Sequence, residues 1–431
     1  MTQNLEIVNV MNNIKQNSML LVNSVVLREV DGQWGLDEQT CAALVRWADN
    51  FERVIMAGPA LPEHIAIKKY SSTTGTILWQ SVADLPCADR IELVPLPYTY
   101  KLPDFIKAYT TTRQLLRQKI LNTQYLVFQL CGLIGDWAGV ACLEAINLKR
   151  PYSVYIDRVE YEVISRTLHS LPLKRRIKEH LTLPWMKRYQ RYLIRQSEVG
   201  LFKGQDCYPE YSPFCKQPHC VYNVHTKKSD WINESSLNSK IESLLNGEPL
   251  QVCYVGRAAE MKGPLDWLQT VHRVYKAGVD VKATWLGDGA LLLKMKSLAQ
   301  ELGIADRVNL VGFVSEQSKV LQTMRENHIF LFCHKTPESP RCLVESIVSG
   351  CPIVGYGSSY SQELVSQYGG GVFAPMNDWQ KLADLVIELN SDRAKLSELI
   401  RAAALSGRCF DEETVYQHRS DLIKKYLNSN I

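Results

Sequence analysis

The stretch Val255-Gly256-Arg257-Ala258-Ala259-Glu260-Met261-Lys262-Gly263 sits between an apolar run, Gln251–Val255, and an amphipathic one, Pro264–Ala277. The first reads as a buried strand and the second as a helix, so the residues joining them form a strand-to-helix turn. A glycine at the strand end lets the backbone turn tightly and approach a ligand, and the helix N-terminus beyond it favours anions. Arg257 can fork onto phosphate oxygens and Lys262 adds a point charge. The same residues read equally as two basic side chains on a solvated turn.

Working outward, the strand–turn–helix pattern repeats along the chain. Strands are expected at Met19–Leu27, Arg53–Ala57, Ile91–Val94, Tyr125–Leu130, Tyr152–Ile156 and Val199–Lys203. A second set follows at Gln251–Val255, Lys282–Leu286, Val308–Val311, Ile329–Phe332, Pro352–Val354 and Gly371–Phe373. Helices between them, among them Asp37–Asn50, Asp136–Asn147, Leu171–Gln196 and Cys342–Ser349, predict parallel α/β layers. The polar segment His225–Pro249, with Asn246-Gly247, reads as the linker between two domains. The expected division is 1–235, 236–410 and a C-terminal helical segment 411–431. In a doubly wound sheet, ligands bind at the carboxyl ends of the strands.

The chain has 431 residues, 46% hydrophobic and 22% charged, which is ordinary for a globular protein of two or three domains. Lys and Arg total 49 against 45 Asp and Glu, for a net charge of +4, too little for a nucleic-acid binder by bulk charge. The excess is local: residues 101–200 hold 17 basic against 8 acidic side chains. The twelve cysteines form no C-x-x-C, which favours reduced thiols. Cys207, Cys215 and Cys220 with His219 and His225 miss the usual ligand spacing and read as a plain loop, so no metal site is expected. No signal peptide is evident at the N-terminus. Tyr125–Ile146 is long enough to span a bilayer, but Asp136 near its centre would cost ~3 kcal/mol, and strand–turn–helix is the cheaper reading. Together these features predict a cytoplasmic protein.

Two further motifs sit at expected strand ends. Pro337-Glu338-Ser339-Pro340-Arg341-Cys342-Leu343-Val344-Glu345 runs from a loop into a helix. Glu345 lies in an otherwise apolar segment, and an ionised group there needs a partner. It either accepts the ribose hydroxyls of a nucleotide or pairs with a structural Arg. Free amides at the start of this helix, around Cys342 and Leu343, can hold a diphosphate. Trp285-Leu286-Gly287-Asp288-Gly289 and Val311-Gly312-Phe313-Val314 read either as ordinary turns or as ligand loops. In the second reading Phe313 lies beside a base and backbone groups at Val314 read its edge.

In order and spacing these motifs resemble the retaining glycosyltransferases of the GT-B fold, the glycosyl transferase group 1 or family 4 type, over about residues 250–390. The resemblance implies two Rossmann-like doubly wound domains facing a central cleft. It implies a nucleotide-diphosphate sugar as donor, no separate cofactor and no metal, and a saccharide or lipid-linked saccharide as acceptor in bacterial polysaccharide or lipopolysaccharide assembly. Arg257 and Lys262 would hold the donor diphosphate, with Gly256 and Gly287 beside it. Glu345 would bind ribose, Glu338 would contact the transferred sugar, and Arg341 would help with the leaving phosphate. Six residues separate the two glutamates where the family has seven. The C-terminal helix would cross back to the first domain.

The first half matches the family less well. Asp31-Gly32-Gln33-Trp34-Gly35 looks similar to the family's Gly-rich loop after the first strand, which implies acceptor-side roles for Gly32 and Gly35. Asp136, Asp157 and Arg158 are the other acceptor-side candidates. Asp157 either orients an acceptor hydroxyl as a catalytic base or caps the next segment. Residues 174–195 alternate basic with aromatic and aliphatic side chains, broken into two helices by Pro184. They read as a surface for an anionic membrane, at the cytoplasmic face of the inner membrane, or as a solvated face with Trp185 and Tyr189 packed inward. The competing functions are a sugar-nucleotide epimerase of the same fold and a non-catalytic nucleotide-sugar-binding protein. A dinucleotide oxidoreductase would need a G-x-G-x-x-G at a strand end, which is not found.

Overall fold

The computed structural model describes residues 15–30, 32–63, 65, 79–168, 172–222, 224–336 and 339–428. They divide into two compact units. One holds the described residues through Tyr222 together with those from Glu413 onward, and the other holds 224–412.

The first unit contains β1 (Lys15–Val22), β2 (Arg28–Val30), β3 (Gln33–Asp37), β4 (Arg53–Pro59), β5 (Trp79–Ser81), β6 (Ile91–Leu96), β7 (Thr123–Gln129), β8 (Ser153–Ile156), β9 (Val199–Lys203) and β10 (Pro218–Val221). Seven of these form a parallel sheet in the order β10-β9-β8-β7-β1-β4-β6. Both faces are covered, which is why its strands read as near-continuous apolar runs. Successive side chains of β1 point to opposite faces. Leu20 and Val22 enter one core with Trp137, Met186 and Leu193. Met19 and Leu21 enter the other with Leu44, Trp47, Tyr416 and Ile423.

The second core explains where the C-terminal helix Glu412–Asn428 belongs. Tyr416 meets Trp47 edge-on at 5.0 Å between ring centroids, and Lys424 Nζ donates to the Asn50 carbonyl at 2.6 Å. All but the first residue of that helix is part of the first unit.

The second unit contains β11 (Leu250–Val255), β12 (Val281–Leu286), β13 (Val308–Gly312), β14 (Ile329–Phe332), β15 (Ile353–Tyr356) and β16 (Gly371–Ala374). They form one parallel sheet in the order β13-β12-β11-β14-β15-β16. Both large sheets thus reverse direction beside their first strand, between β1 and β7 in one and between β11 and β14 in the other. Such switch points open a crevice at the carboxyl ends of the strands.

The structure departs from the sequence reading in four places. The polar segment 225–249 is not a linker: Glu234–Leu245 is a helix whose Leu237, Ile241 and Leu244 are buried. Its Lys240 donates to the carbonyls of Met324, Ser349 and Gly350, so the chain changes unit at Tyr222 and not at 235. Pro184 does not divide its helix, which runs unbroken from Leu173 to Gln196. The missing N–H falls on an exposed face, and just upstream Thr182 Oγ1 donates to the Lys178 and Glu179 carbonyls. The Cys207–His225 stretch is not a plain loop but the helix Gly204–Tyr211, a 3-10 turn and β10. Gly32 and Gly35 do not form a loop after β1. Gly32 lies in the β2–β3 turn and Gly35 is a buried residue of β3, in a small antiparallel sheet β2-β3-β5.

His328, at the foot of β14, is buried, and burial lowers its pKa to about 4, with Lys240 and Arg393 adding to the effect. Its Nδ1 accepts from the Gln251 amide at 3.1 Å. The folded pKa lies below the unfolded one, so this contribution to stability is complete above pH 6.5 and is lost as the pH falls towards 4. The loss is ~3 kcal/mol. Urea unfolding at pH 7.5 and 4.5 should show a large drop in midpoint for the unsubstituted chain and a smaller one for His328→Asn.

Candidate functional site

In the first unit, a cavity of about 660 Å³ opens at the carboxyl ends of β1, β7 and β8, lined among others by Ser24, Cys131, Gly132, Asp136 and Arg158. Tyr100 adds a wall from the loop after β6, and Lys174, Arg175, Lys178 and Glu179 add another from the helix Leu173–Gln196. Of the acceptor-side candidates, Asp136 and Arg158 reach this cavity.

Asp136 does not project a free carboxylate into it. Its Oδ2 accepts from the amides of Cys131 and Gly132, and its Oδ1 from Ala138 and Gly139, all between 3.1 and 3.3 Å. It caps the helix Trp137–Asn147 and shapes the loop after β7. Gly135 beside it has φ +80°, and a Cβ there would lie 2.6 Å from the Thr99 carbonyl oxygen, so only glycine fits. Trp137 Nε1 donates to the Pro97 carbonyl at 2.8 Å and ties the same two loops together. Arg158 is paired with Glu160 at 2.5 Å. Asp157 is half-buried at the end of β8 and caps nothing: Val159 holds the N-cap position of the next helix without a side-chain bond.

In the second unit, the turn after β11 carries Gly256, Arg257 and Lys262. The loop after β12 carries Gly287, the loop after β13 carries Phe313 and Val314, and the helix Arg341–Val348 follows β14. Backbone bonds knit these loops into one edge. Ala258 N donates to the Asp288 carbonyl and Gly287 N to the Gly312 carbonyl, at 2.9 and 2.7 Å. Lys335 N donates to the Met261 carbonyl at 2.9 Å, and its Nζ pairs with Asp266 at 2.8 Å. Asp266 also accepts from the Tyr356 hydroxyl.

Lys262 is buried, and its ammonium lies 3.5 Å from His334 Nδ1. The other ring nitrogen meets the Tyr254 hydroxyl. Burial, with Lys262 adding to it, holds the His334 imidazole well below its ordinary pKa, so it is neutral. An ammonium can only donate, so Nδ1 accepts and the ring proton sits on Nε2, towards Tyr254. A cation is thus seated beneath the edge against a neutral ring.

Glu345 is half-buried and forms no ion pair with an arginine among the described residues. Burial pushes its carboxyl up; Arg341 pulls it down and Asp230 adds to the rise. Arg257 and Phe313 are exposed, Arg341 and Cys342 half-buried. Leu343 is no ligand candidate: its side chain is in the core and its amide turns back to the Pro340 carbonyl at 3.3 Å. Glu338 lies outside the described residues. Among the described residues, no group of three or more His, Cys, Asp or Glu side chains is placed to hold a metal ion.

The knit edge with its seated cation lies within a segment, residues 236–405, that matches the family of glycosyl transferases group 1. The match is to that part of the second unit, well under half of the chain. The chain is 25% identical over 201 residues to the amylovoran biosynthesis glycosyltransferase AmsK of Erwinia amylovora, covering 45% of this chain and 49% of that protein. It is 22% identical over 220 residues to the alpha-D-kanosaminyltransferase of Streptomyces kanamyceticus, covering 50% and 56%. The chain thus matches about half the length of these curated relatives. Among solved structures it is similar to Anabaena HepE in complex with UDP, with a TM-score of 0.64 at 14% identity, over 95% of this chain and all of that one. It is also similar to WaaG, a glycosyltransferase involved in lipopolysaccharide biosynthesis, with a TM-score of 0.58 at 11% identity, over 94% and 99%. The fold is GT-B.

Within this matched segment, sequence reasoning missed His334, Tyr254, Lys335, Asp266 and Tyr356. Asp266 carried a usable signal, an acidic residue in the first turn of a helix. His334 carried none, because its partners are 72 and 80 residues away in sequence. Gly263 supports the same arrangement: its φ is +62°, and an added Cβ would sit 2.1 Å from the Cys333 carbonyl oxygen, one residue before His334. Gly263→Ala should therefore destabilise the chain by more than the ~1–2 kcal/mol of a left-handed non-glycine residue, read as a lowered midpoint in thermal unfolding.

Proposed function

We propose that the chain transfers a sugar, with retention of anomeric configuration and without a metal, from a nucleotide-diphosphate sugar to a saccharide or lipid-linked saccharide in bacterial surface-polysaccharide assembly. The observation that carries this reading is Glu345. It is a half-buried carboxylate with no hydrogen bond or ion pair among the described residues, on the helix that follows β14. A carboxylate accepts both hydroxyls of a ribose, as acidic residues do in other nucleotide folds. Lys262 supplies the second element: a positive charge held in place before the donor arrives.

In the reaction, the bond from the anomeric carbon to the diphosphate oxygen breaks. The acceptor hydroxyl oxygen bonds to that carbon on the same face, and its proton passes to the departing diphosphate. The burden is to stabilise the charge that grows on the leaving group, and preorganised cations do this without reorganising. Lys262 and Arg257 take that role, with Arg341 and the amide near Cys342 beside them. Phe313, exposed after β13, offers a face to the base, with Val314 at its edge. Asp157, half-buried and uncapped, orients the acceptor hydroxyl. The relatives named above are an amylovoran biosynthesis glycosyltransferase and an alpha-D-kanosaminyltransferase, and HepE is in complex with UDP, which supports a nucleotide-sugar donor. Glu345→Ala and Lys262→Ala should each lower transfer at least ~100-fold, since removing one oriented charge costs about 3–4 kcal/mol. Near-normal turnover of UDP-sugars in both variants would overturn the assignment.

Peripheral membrane contact belongs to the same reading. On the helix Leu173–Gln196, Leu173, Ile177, Leu181 and Trp185 are all more than half exposed and fall four residues apart. Such a stripe beside basic residues suits an anionic bilayer surface. Lys187 and Arg191 take no part, because both face Glu210, Arg191 at 2.7 Å. Among the described residues no helix is long and apolar enough to cross a membrane. Leu181→Ser with Trp185→Ser should abolish co-sedimentation with phosphatidylglycerol vesicles; unchanged co-sedimentation would return the stripe to solvent.

A further inference from the structure

The cavity of the first unit has a charge pattern that the proposed transfer does not by itself require. Four cations and three carboxylates line it: Arg158, Lys174, Arg175 and Lys178 against Asp136, Glu160 and Glu179. The carboxylates are engaged. Asp136 accepts four backbone amides, Glu160 holds Arg158 at 2.5 Å, and Glu179 holds Arg175 at 3.8 Å. Thr182, also on the wall, turns its hydroxyl back to the helix carbonyls. What remains is Lys174 and Lys178, one helical turn apart on the same face, with no ion pair among the described residues.

We propose that this cavity binds the acceptor through a diphosphate group held between Lys174 and Lys178. This rests on the reading of the first unit as the acceptor side. Side chains at i and i+4 stand ~6 Å apart at their Cβ atoms, so two flexible ammonium groups converge on one ligand of that size. Two uncompensated positive charges balance the two negative charges of a diphosphate diester, whereas a single carboxylate would leave one over. Lysine binds phosphate as a point charge and needs no fixed fork geometry, which suits a rim position. The apolar stripe of the same helix lies one residue ahead in sequence, ~100° round the helix axis. A diphosphate borne on a lipid and a soluble sugar diphosphate share the chemistry the lysines recognise. They differ in whether the stripe contributes.

The test titrates inorganic pyrophosphate into the Lys262→Gln/Arg257→Gln variant of the whole chain by calorimetry, so that competition from the second unit's edge is weakened. Binding should be present there and should weaken at least about tenfold when Lys174→Gln and Lys178→Gln are added, with recovery in Lys174→Arg/Lys178→Arg. Both lysines are exposed, so folding should be unaffected, checked by an unchanged thermal midpoint. Absence of pyrophosphate binding, or equal binding with and without the two lysines, overturns the proposal. Geranylgeranyl diphosphate in phosphatidylcholine vesicles forms the second arm. If the vesicle-borne probe binds more tightly than pyrophosphate, and Leu181→Ser/Trp185→Ser removes that gain, the source is a lipid. If pyrophosphate binds and the gain is absent, the source is soluble. UDP binding to the unsubstituted chain is measured separately, so that a failed donor reading leaves the pyrophosphate result standing.

Discussion

Lys262 brings a full positive charge under the edge of a parallel sheet, and every neighbour is arranged around that fact. An ion in such a place needs hydrogen-bond acceptors to offset the water it has lost. A carboxylate would satisfy the ammonium and also neutralise it. A neutral imidazole accepts from it and adds no negative charge. That choice propagates: His334 must stay neutral, so it is buried; its remaining nitrogen must have a partner, so Tyr254 stands on β11. The turn that carries Lys262 must approach the end of β14 closely, so Gly263 occupies the contact with the Cys333 carbonyl. Lys335 and Asp266 then clamp the two loops from the far side. None of these five residues need touch a ligand for the site to depend on them.

Both sheets solve the same topological problem in the same way. A parallel sheet with helices on both faces must begin in the middle and grow outward in two directions, and the crevice opens where the directions part. The first unit places its 660 Å³ cavity there, between the ends of β1 and β7. The second places the Lys262 turn and the Glu345 helix at the ends of β11 and β14. The helix Glu412–Asn428 returns to the first sheet because its apolar face completes the core begun by Leu44, Trp47 and Phe51.

How much of this could be read from the chain depended on whether the signal was local. Doubly covered parallel strands leave continuous apolar runs, so β4, β9 and β14 were visible within two residues. β2, β3, β5 and β10 were not, because they are three to five residues long and largely half-exposed. The Pro184 rule failed because a lost backbone bond matters less where water replaces it. Asp136 lines the cavity as an acceptor-side candidate, but its carboxylate is spent on backbone amides, and an acidic residue just before a helix is a capping signal. Glu345 stood out because an acidic residue in an apolar helix needs a reason. His334 could not stand out, since its meaning lies in residues on other strands.

The basic excess of residues 101–200 shows how far charge counting carries. Much of it is absorbed in structure: Arg113 and Arg117 hold the buried Glu144, Arg150 donates to three backbone carbonyls, and Lys187 and Arg191 hold Glu210. Of the four cations that line the first unit's cavity, Arg158 and Arg175 are held by carboxylates, which leaves Lys174 and Lys178 at its wall. The second unit, which has no basic excess, carries Lys262 and Arg257 in the turn after β11. Net charge measures the field at a distance, while binding is set by cations left without a partner at a crevice. The two quantities diverge here because many cations of residues 101–200 are held by a neighbour.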